Sequence, residues 1–344
     1  MGVQIAEIIP RKEINLSLLK GKTIAVDAMN TLYQFLTTIR QQDGTPLMDS
    51  KGKITSHLSG LFYRNISLLS EGINLVYVFD GKPSHLKEKE LNERAERKRI
   101  AMEKYTDAKK SGDIESMNKY SKQFVKINEE IVNESKEILK ALGISFVESL
   151  NEGEAEASFL ARAGLVWASA SQDYDALLYG TPRLIRNLTL ARKRKTSSGI
   201  LVDVNIEFIE LQQVLESLQI DRDQLISLGI LTGTDFNIGG VKGLGQKRAL
   251  EIVRKFRYPT IIFDYIYKSG KYVMDFNWQE IFKEFKEYKG NGIKKIDKIK
   301  PDFEKVKKIL LERDFSEERV DKALEKLREI EEEKKQVSLK DFFN

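Results

Sequence analysis

Three short apolar runs that each lead into aspartates constrain the fold of this chain most strongly. The runs and their acids are Thr23–Val26 with Asp27, Leu75–Phe79 with Asp80, and Val166–Ala170 with Asp173 and Asp175. Runs of this length, rich in β-branched residues, are typical of buried strands in a parallel sheet, and the carboxyl ends of such strands meet at one edge. The pattern therefore predicts a sheet whose acids gather at that edge.

Helical patterns alternate with the strands. They cover Thr31–Arg40, Ser56–Ser70, residues 221–257 around a glycine-rich turn, and the C-terminal 60 residues, while Phe146 and Val147 form the centre of a further strand. Alternation of this kind indicates an α/β fold with a parallel or mixed twisted sheet flanked by helices. We find no internal repeat or flexible linker, so we expect one domain, residues 1–335, followed by a tail, residues 336–344.

A highly charged insert interrupts this alternation between residues 82 and 140. Ser111–Asp113 breaks its first helix, and a second charged helix is predicted to reach about Leu142. A solvated helical hairpin would have the same composition. However, the insert leaves the sheet directly after Asp80, so its first turn must lie over the acidic edge, where basic side chains can hold phosphates.

Seven acids occupy positions at the ends of predicted strands, helices or turns. They are Asp27, Asp80, Glu152, Glu154, Asp173, Asp175 and Asp235. A single acid of this kind could equally be a helix cap or a turn residue, but acids gathered in one place need cations to stay ionised. Oxygen ligands without Cys or paired His favour Mg²⁺ or Mn²⁺ over Zn²⁺.

The spacing of two acid pairs matters for this prediction. Asp173 and Asp175 lie two residues apart, so an extended backbone would put both side chains on one face. Inside a helix, Glu152 and Glu154 would point about 200° apart, so they converge only if Glu152 lies at or before the helix start. Glu156 could compete for a ligand role, but we expect it inside the helix, pointing away.

Composition limits the remaining choices. The chain has 344 residues and no Cys, which excludes disulfides, thiol catalysis and Cys-based zinc sites. No apolar stretch reaches the ~20 residues of a membrane span and no signal-peptide pattern is present, so an intracellular, cytoplasmic protein is expected. The net charge of +5 is modest, so a nucleic-acid partner must be argued from where the charges lie.

Five phrases occurring in order make the chain resemble a known family. They are Ala25-Val26-Asp27-Ala28, Tyr77-Val78-Phe79-Asp80-Gly81-Lys82-Pro83, Glu152-Gly153-Glu154-Ala155, Ala170-Ser171-Gln172-Asp173-Tyr174-Asp175 and Gly233-Thr234-Asp235. The chain resembles, from Gly2 to Phe343, the structure-specific flap endonucleases of the 5′-nuclease superfamily, of archaeal type. The resemblance implies a Mg²⁺-dependent hydrolase that removes 5′ flaps from DNA, and acts as a 5′ exonuclease, in Okazaki-fragment maturation and base-excision repair.

The family pattern divides the acids between two Mg²⁺ ions, for which Mn²⁺ is expected to substitute. One ion is assigned mainly to Asp27, Asp80, Glu152 and Glu154, and the other to Asp173, Asp175 and Asp235. Two such ions activate water and stabilise the leaving oxygen in phosphodiester hydrolysis, which implies a 5′-phosphate product.

The charged insert corresponds, over about residues 82–130, to the family's helical arch, through which a 5′ flap threads. Lys87 and Arg94 match the arch residues that contact the scissile phosphate, and their separation by two helical turns predicts a shared face. Their charge would stabilise the transition state. Tyr33 matches an aromatic residue that stacks on the nucleotide beside the cut, although a Tyr on an apolar helix could equally belong to the core.

A glycine-rich turn, Gly239–Leu250, resembles the family's helix–two-turn–helix element, expected at about residues 225–257. Glycines allow close approach of a phosphate, and free amides at a helix start bind anions. Gly243, Gly245, Lys247 and Arg248 are therefore predicted to hold the backbone of duplex DNA, with K⁺ at the turn, as the family implies. The basic run Arg192–Lys195 is either a solvated loop or a second DNA contact.

The tail contains Gln336, Leu339, Phe342 and Phe343, a spacing that suits a 3₁₀ turn with its apolar residues on one side. It matches the box with which replication and repair enzymes bind a PCNA-type sliding clamp, and we expect it to be unstructured in the free protein. The alternative is that both Phe side chains pack on the domain.

The remaining expectations concern organisation and rival functions. The resemblance implies an N-terminal region at 1–99, an internal region at about 120–260 and a monomeric nuclease. One rival is a related single-strand RNase, which would lack the arch and the glycine turn. The other is a DNA-binding scaffold without activity, which would not need all seven acids.

Overall fold

The predicted sheet is present, with helices on both faces. The computed structural model describes residues 2–41, 44–190, 193–195 and 201–343. Its elements are, in chain order, β1 (Lys12–Ile14), β2 (Thr23–Asp27), α1 (Ala28–Thr38), α2 (Ser56–Ser70), β3 (Asn74–Phe79), α3 (Glu88–Ser111), α4 (Ile114–Ser121), α5 (Glu129–Ala141), β4 (Ser145–Glu148), α6 (Gly153–Arg162), β5 (Ala168–Ala170), α7 (Asp175–Leu178), β6 (Arg183–Arg186), β7 (Lys193–Lys195), β8 (Leu201–Asp203), β9 (Ile206–Glu210), α8 (Leu211–Leu218), α9 (Arg222–Thr232), α10 (Gln246–Lys255), α11 (Pro259–Lys268), α12 (Trp278–Lys286), α13 (Phe303–Leu311) and α14 (Glu317–Phe343). Short 3₁₀ turns occupy Leu16–Leu19 and His85–Lys87.

The main sheet has seven strands in the order β1-β9-β6-β5-β2-β3-β4. Strands β6, β5, β2, β3 and β4 are parallel, whereas β9 and β1 add antiparallel pairs at one edge. The predicted class, a parallel or mixed sheet flanked by helices, is thus confirmed. In register, Asp27 pairs with Val78 and Val26 with Ala170, so the residues after these strands emerge at one edge.

The sheet separates two hydrophobic cores because strand side chains alternate between its faces. Ile24 and Val26 join the core built with α1, α2, α5, α13 and α14. Ala25, between them, packs with Val78 and Leu160 on the opposite face, under α6. A third cluster packs helices α7 to α12 against Leu184 of β6 and Ile209 of β9.

The charged insert is helical, as expected, but it is divided differently. Its first helix, α3, ends at Gly112, which has a left-handed φ of 72°. The predicted second helix is two helices, α4 and α5, separated by residues 122–128, because Asn128 caps α5 by accepting a hydrogen bond from the amide of Ile131. Beneath α4, the guanidinium of Arg40 donates to Oγ of Ser121 at 2.8 Å, which joins the insert to the end of α1.

The tail differs from its prediction. Helix α14 continues to Phe343, so the expectation of an unstructured tail is wrong; the Glu- and Lys-rich sequence before it favours a continuous helix. The side chains of residues 333–343 lie outside the described ones, as do Arg192, the side chains of Lys193–Lys195 and residue 344. No helix in the described ranges is long and apolar enough to cross a membrane.

Candidate active site

A cleft of about 580 Å³ opens where β2 and β3 end. Predicted residues of both kinds, acids and candidate DNA contacts, line it together: Asp27, Tyr33, Asp80, Lys87, Arg94, Glu152, Glu154, Asp173 and Asp235. Asp175 is buried next to this group. The structure thus brings seven acids into one place, although they are spread over more than two hundred residues of sequence.

The first two acids are held by the ends of their strands. Asp27 is the last residue of β2 and caps α1, because its Oδ1 accepts a hydrogen bond from the amide of Asn30 at 3.0 Å. Asp80 follows β3, and its Oδ1 accepts from the amide of Gly153 at 2.7 Å. A Cβ at Gly153 would lie 2.8 Å from that same oxygen, so only glycine permits this contact.

Glu152 and Glu154 face the same cleft because, as their spacing required, Glu152 lies before the start of the helix. Glu152 precedes α6 in an extended conformation, and Glu154 lies in the first turn, where its Oε1 accepts from the amide of Ala176 at 3.0 Å. Glu156 lies inside the helix and points away from the cleft, to Tyr288. The arrangement separates the three glutamates into two that face the cleft and one that does not.

The remaining acids surround the start of the chain. The main-chain amide of Val3 donates to Oδ1 of Asp175 at 2.7 Å, and that of Gly2 donates to Oδ1 of Asp235 at 3.2 Å. The extended backbone expected around Asp173 is wrong, since Tyr174 has a helical conformation and Asp175 begins α7. Both acids nonetheless face the same cluster, because the turn between strand and helix directs them there.

Burial and mutual repulsion raise the pKa of most of these acids. Burial, followed by Asp80, raises the pKa of Asp27 to about 8. Burial, followed by Asp235, raises the pKa of Asp175 to about 8. Burial and Glu152 raise the pKa of Asp80 to about 6, and burial and Asp175 raise the pKa of Glu154. Such a cluster becomes fully ionised near neutral pH only when cations neutralise it.

One cation of the chain already lies among the acids. Nζ of Lys87 is 2.6 Å from Oε2 of Glu152 and 3.4 Å from Oδ2 of Asp235. Burial lowers the pKa of Lys87, but Glu152 and Asp235 outweigh it, and the pKa is raised. Lys87 precedes α3 as its cap, so it does not share a helix face with Arg94 as predicted, although both line the cleft.

Arg94 is held by its own helix. Its guanidinium forms an ion pair with Glu90 at 2.7 Å, one turn earlier. Glu90 is buried, and its second carboxylate oxygen has no hydrogen-bond partner. The charge of Arg94 is therefore partly satisfied inside the arch and not by the acids of the cleft.

The donor set of the cleft fits a hard divalent cation. All seven acids offer only carboxylate oxygen, the ligand that Mg²⁺ and Mn²⁺ prefer. As the described side chains stand, no three of them are arranged to hold one ion. The ammonium of Lys87 takes the place of a positive partner between Glu152 and Asp235, which shows that this part of the cluster accepts a cation.

Tyr33 belongs to the cleft and not to the core. Its side chain is 42% exposed, and its hydroxyl reaches the main-chain oxygen of Lys122 at 3.4 Å. The ring therefore lies on the first helix after β2, beneath the returning end of the arch, with a face that a base could contact.

The glycine turn borders a second cleft, of about 720 Å³, which Gly243 and Gly245 line together with Asp173. Gly243 has a φ of 81°, which favours glycine. Helix α10 begins directly after Gly245, and Lys247 and Arg248 are exposed in its first turn. Asp173 thus lies between the acidic cleft and the glycine turn.

Sequence reasoning missed several neighbours of the acids. Nδ2 of Asn30 donates to Oδ2 of Asp173 at 3.1 Å, and its position three residues after a capping Asp could have indicated it. The amides of Gly2 and Val3 carry no sequence signal, because any residue has an amide. The basic side chains of Lys98 and Lys126 also line the cleft.

Sequence comparisons match the chain to known proteins over its whole length. The family description "XPG N-terminal domain" matches residues 1–101, and "XPG I-region" matches residues 143–235. The chain is 48% identical to the flap endonuclease 1 of Pyrococcus furiosus and 49% identical to that of Pyrococcus abyssi, over 100% of this chain and 99% and 98% of those proteins.

Solved structures give the same result for the fold. The chain superimposes on flap endonuclease-1 from Methanococcus jannaschii with a TM-score of 0.75 and 43% identity, covering 97% of this chain and all of that one. The catalytic core of Rad2 in complex with DNA substrate matches with a TM-score of 0.69 at 22% identity, over 91% of this chain and 95% of that chain, which supports the fold alone.

Proposed function

Since the chain belongs to the flap endonuclease 1 family, we propose which of its residues carry out the reaction of that family. The chain is a structure-specific 5′ flap endonuclease, a hydrolase of DNA phosphodiester bonds, and roles in replication and repair are typical of the family. The family depends on divalent metal ions, consistent with Mg²⁺. The observation that carries the residue assignments is the convergence of seven acids with Lys87 and Arg94 around one cleft.

The acids are the ligands of two Mg²⁺ ions, with Mn²⁺ able to substitute. Asp27, Asp80, Glu152 and Glu154 hold mainly one ion, and Asp173, Asp175 and Asp235 hold the other. Two such ions supply an activated water and charge stabilisation at the leaving 3′ oxygen. The amides of Gly2, Val3 and Gly153 keep three of these carboxylates oriented.

Lys87 and Arg94 act on the scissile phosphate. Both side chains line the acidic cleft from the base of the arch. In the free protein Lys87 forms an ion pair with Glu152 and Arg94 with Glu90, and either pair can be exchanged for a phosphate. Once Glu152 and Asp235 were neutralised by a bound cation, the ammonium of Lys87 would be available to the phosphate. Positive charge at that position stabilises the additional negative charge of the transition state.

Three surfaces hold the DNA around that phosphate. Tyr33 stacks on the nucleotide beside the cut, because its ring is exposed in the cleft. Gly243, Gly245, Lys247 and Arg248 hold the backbone of the duplex, since exposed cations and free amides converge at the start of α10. K⁺ held by main-chain oxygens at the turn is proposed from the family alone. Contacts with backbone and not with bases make the enzyme specific for structure instead of sequence.

The C-terminal residues Gln336, Leu339, Phe342 and Phe343 bind a PCNA-type sliding clamp. Support for this proposal comes from the sequence alone. Two adjacent Phe residues at the end of a charged segment are suited to a partner's apolar groove.

Cleavage assays with labelled DNA test the proposal. A 5′-flap duplex should be cut with Mg²⁺ and not with EDTA, while a blunt duplex and a single-stranded RNA of equal length should be poor substrates. Preferred cleavage of the RNA would contradict the assignment. Binding of the flap without cleavage, at any concentration of Mg²⁺ or Mn²⁺, would show that the acids do not form a catalytic metal site.

A further inference from the structure

Glu156 is a buried carboxylate outside the metal cleft. Its side chain is completely buried. Its Oε2 accepts hydrogen bonds from the hydroxyl of Tyr288 at 2.7 Å and from the main-chain amide of Asn291 at 3.0 Å. A carboxylate is costly to bury unless such partners satisfy it, so the contact binds the segment around Tyr288 firmly to α6.

This segment, residues 287–292, is called the strap below. Besides Glu156, its main-chain oxygen at Tyr288 accepts from Arg162 at 2.6 Å. A Cβ at Gly290 would lie 2.3 Å from the ring of Phe159, and its φ is 71°. Glycine at that position therefore allows the strap to lie directly against α6, along the helix that carries Glu154.

The strap also contacts the loop that precedes α6. The side-chain amide of Asn291 donates to the main-chain oxygen of Glu148 at 2.7 Å. Oγ of Ser149 lies 3.0 Å from the hydroxyl of Tyr288 and 2.9 Å from the main-chain oxygen of Glu152. Because Tyr288 donates its proton to Glu156, its oxygen accepts the proton of Ser149, and Oγ of Ser149 accepts in turn from the main-chain amide of Asn151 at 3.2 Å.

The same loop is connected to the strand end that carries Asp80. The amide of Gly81 donates to the main-chain oxygen of Asn151 at 2.7 Å, and the amide of Gly153 donates to Asp80 itself. A continuous set of hydrogen bonds therefore leads from Glu156 through Tyr288 and Ser149 to the amide of Asn151, the residue before Glu152.

We propose that Glu156 is a positioning residue for the metal cleft, which fastens the strap to α6 and thereby fixes the loop that presents Glu152 and contacts the strand end at Asp80. The inference rests on the proposed role of Glu152 as a metal ligand. Groups that orient metal ligands typically change metal affinity when they are removed. A contact that served only to hold the C-terminal part of the chain would change stability and leave metal affinity as it was.

Calorimetric titration of the DNA-free protein with Mn²⁺ separates these two cases. Glu156→Ala and Tyr288→Phe should each weaken Mn²⁺ binding by about tenfold or more. Glu156→Gln should bind Mn²⁺ nearly as the unmodified protein does, because one oxygen can still accept from both Tyr288 and Asn291. Affinity for flap DNA without divalent metal should not change in any of the three.

Two control variants complete the experiment. Tyr77→Phe removes another buried tyrosine hydroxyl, which donates to Asn65 at 2.8 Å in the core, and should lower the melting temperature without weakening Mn²⁺ binding. Glu152→Gln should weaken Mn²⁺ binding directly, because it removes a proposed ligand.

Wild-type Mn²⁺ affinity in Tyr288→Phe, with Glu152→Gln impaired, would overturn the positioning role alone. Wild-type affinity in Glu152→Gln would overturn the ligand assignment and the inference together. Tyr288→Phe keeps the ring, so it decides the matter even if Glu156→Ala fails to fold.

Discussion

Lys87 and Glu152 form an ion pair inside the acidic cleft, with Nζ 2.6 Å from Oε2. The pair joins the base of the arch, from which Lys87 acts on the scissile phosphate in our proposal, to a carboxylate that we assign to a metal ion. The ammonium of Lys87 thus neutralises part of the negative charge of Glu152 and Asp235 in the free protein. It also lies within reach of a phosphate bound in the same cleft. This relationship gives the mutational predictions a common origin.

Lys87→Ala and Arg94→Ala should each slow single-turnover cleavage by about 100-fold or more, because each removes a positive charge that stabilises the transition state. Affinity for the duplex should barely change, since the glycine turn holds it. Lys89→Ala, an exposed lysine between them on α3, is the matched control and should cleave normally. Weaker DNA binding with an unchanged rate at saturating DNA would make Lys87 and Arg94 a docking surface only.

Asp173→Asn should abolish cleavage and leave affinity for flap DNA within a few-fold. The substitution keeps the shape of the side chain but removes the charge that a divalent ion needs. Rapid-quench assays over a range of Mg²⁺ concentrations measure the rate, with Asp264→Asn, at an exposed position on α11, as control. Near-normal turnover at saturating Mg²⁺ would disprove the ligand role of Asp173.

The metal-free protein should lose stability as the pH rises from 6 to 8. The pKa of Asp27 and of Asp175 is about 8 in the folded protein, against a value of 3.8 for an unperturbed Asp. The folded state therefore binds protons more tightly, and the stability this gives is complete below about pH 4 and lost as the pH rises through 8. The loss between pH 6 and 8 should be on the order of a few kcal/mol.

Melting curves in EDTA at both pH values measure this loss. Asp27→Asn, which cannot ionise, should reduce the difference between them. Added Mg²⁺ should raise the melting temperature more at pH 8 than at pH 6, because protons compete with the metal for the same oxygens. A melting temperature that rises from pH 6 to 8 in EDTA would contradict the raised pKa values.

Lys247→Ala and Arg248→Ala should weaken duplex binding and reduce its salt dependence. Each neutralised phosphate contact contributes about 0.9 to the slope of log affinity against log salt, so each substitution should lower the slope by about one. The cleavage rate at saturating DNA should not change, because both residues lie at the start of α10 and not in the acidic cleft. An unchanged slope would remove these residues from the DNA contact.

Replacing Phe342 and Phe343 by Ala should abolish binding to a sliding clamp without changing basal cleavage. Each ring that is fully buried in a partner groove is worth roughly 3–5 kcal/mol on truncation. Calorimetry with a clamp, together with a melting curve, measures both effects. If clamp affinity stays the same and the melting temperature falls, the tail is part of the nuclease fold.

Much of the fold could be predicted because its signals are local. The runs that became β2, β3 and β5 are short, apolar and each close to an acid, and helix α2 has the predicted bounds, Ser56–Ser70. Strands β1 and β9 were missed because they lie far apart in the chain, and their pairing leaves no local signal. The tail prediction failed because a local signal was underestimated: the helix propensity of the charged segment continues to Phe343, where a break was expected.

The sequence by itself determined which acids exist, which strands end beside them, and that an all-oxygen site without Cys must favour a hard cation. Only the tertiary structure decided how those acids are held. The amides of Gly2 and Val3 donate hydrogen bonds to Asp235 and Asp175. The ammonium of Lys87 forms an ion pair with Glu152, and Tyr288 of the strap donates to Glu156. These contacts join residues far apart in the chain, and only packing of the whole chain brings them within hydrogen-bonding distance.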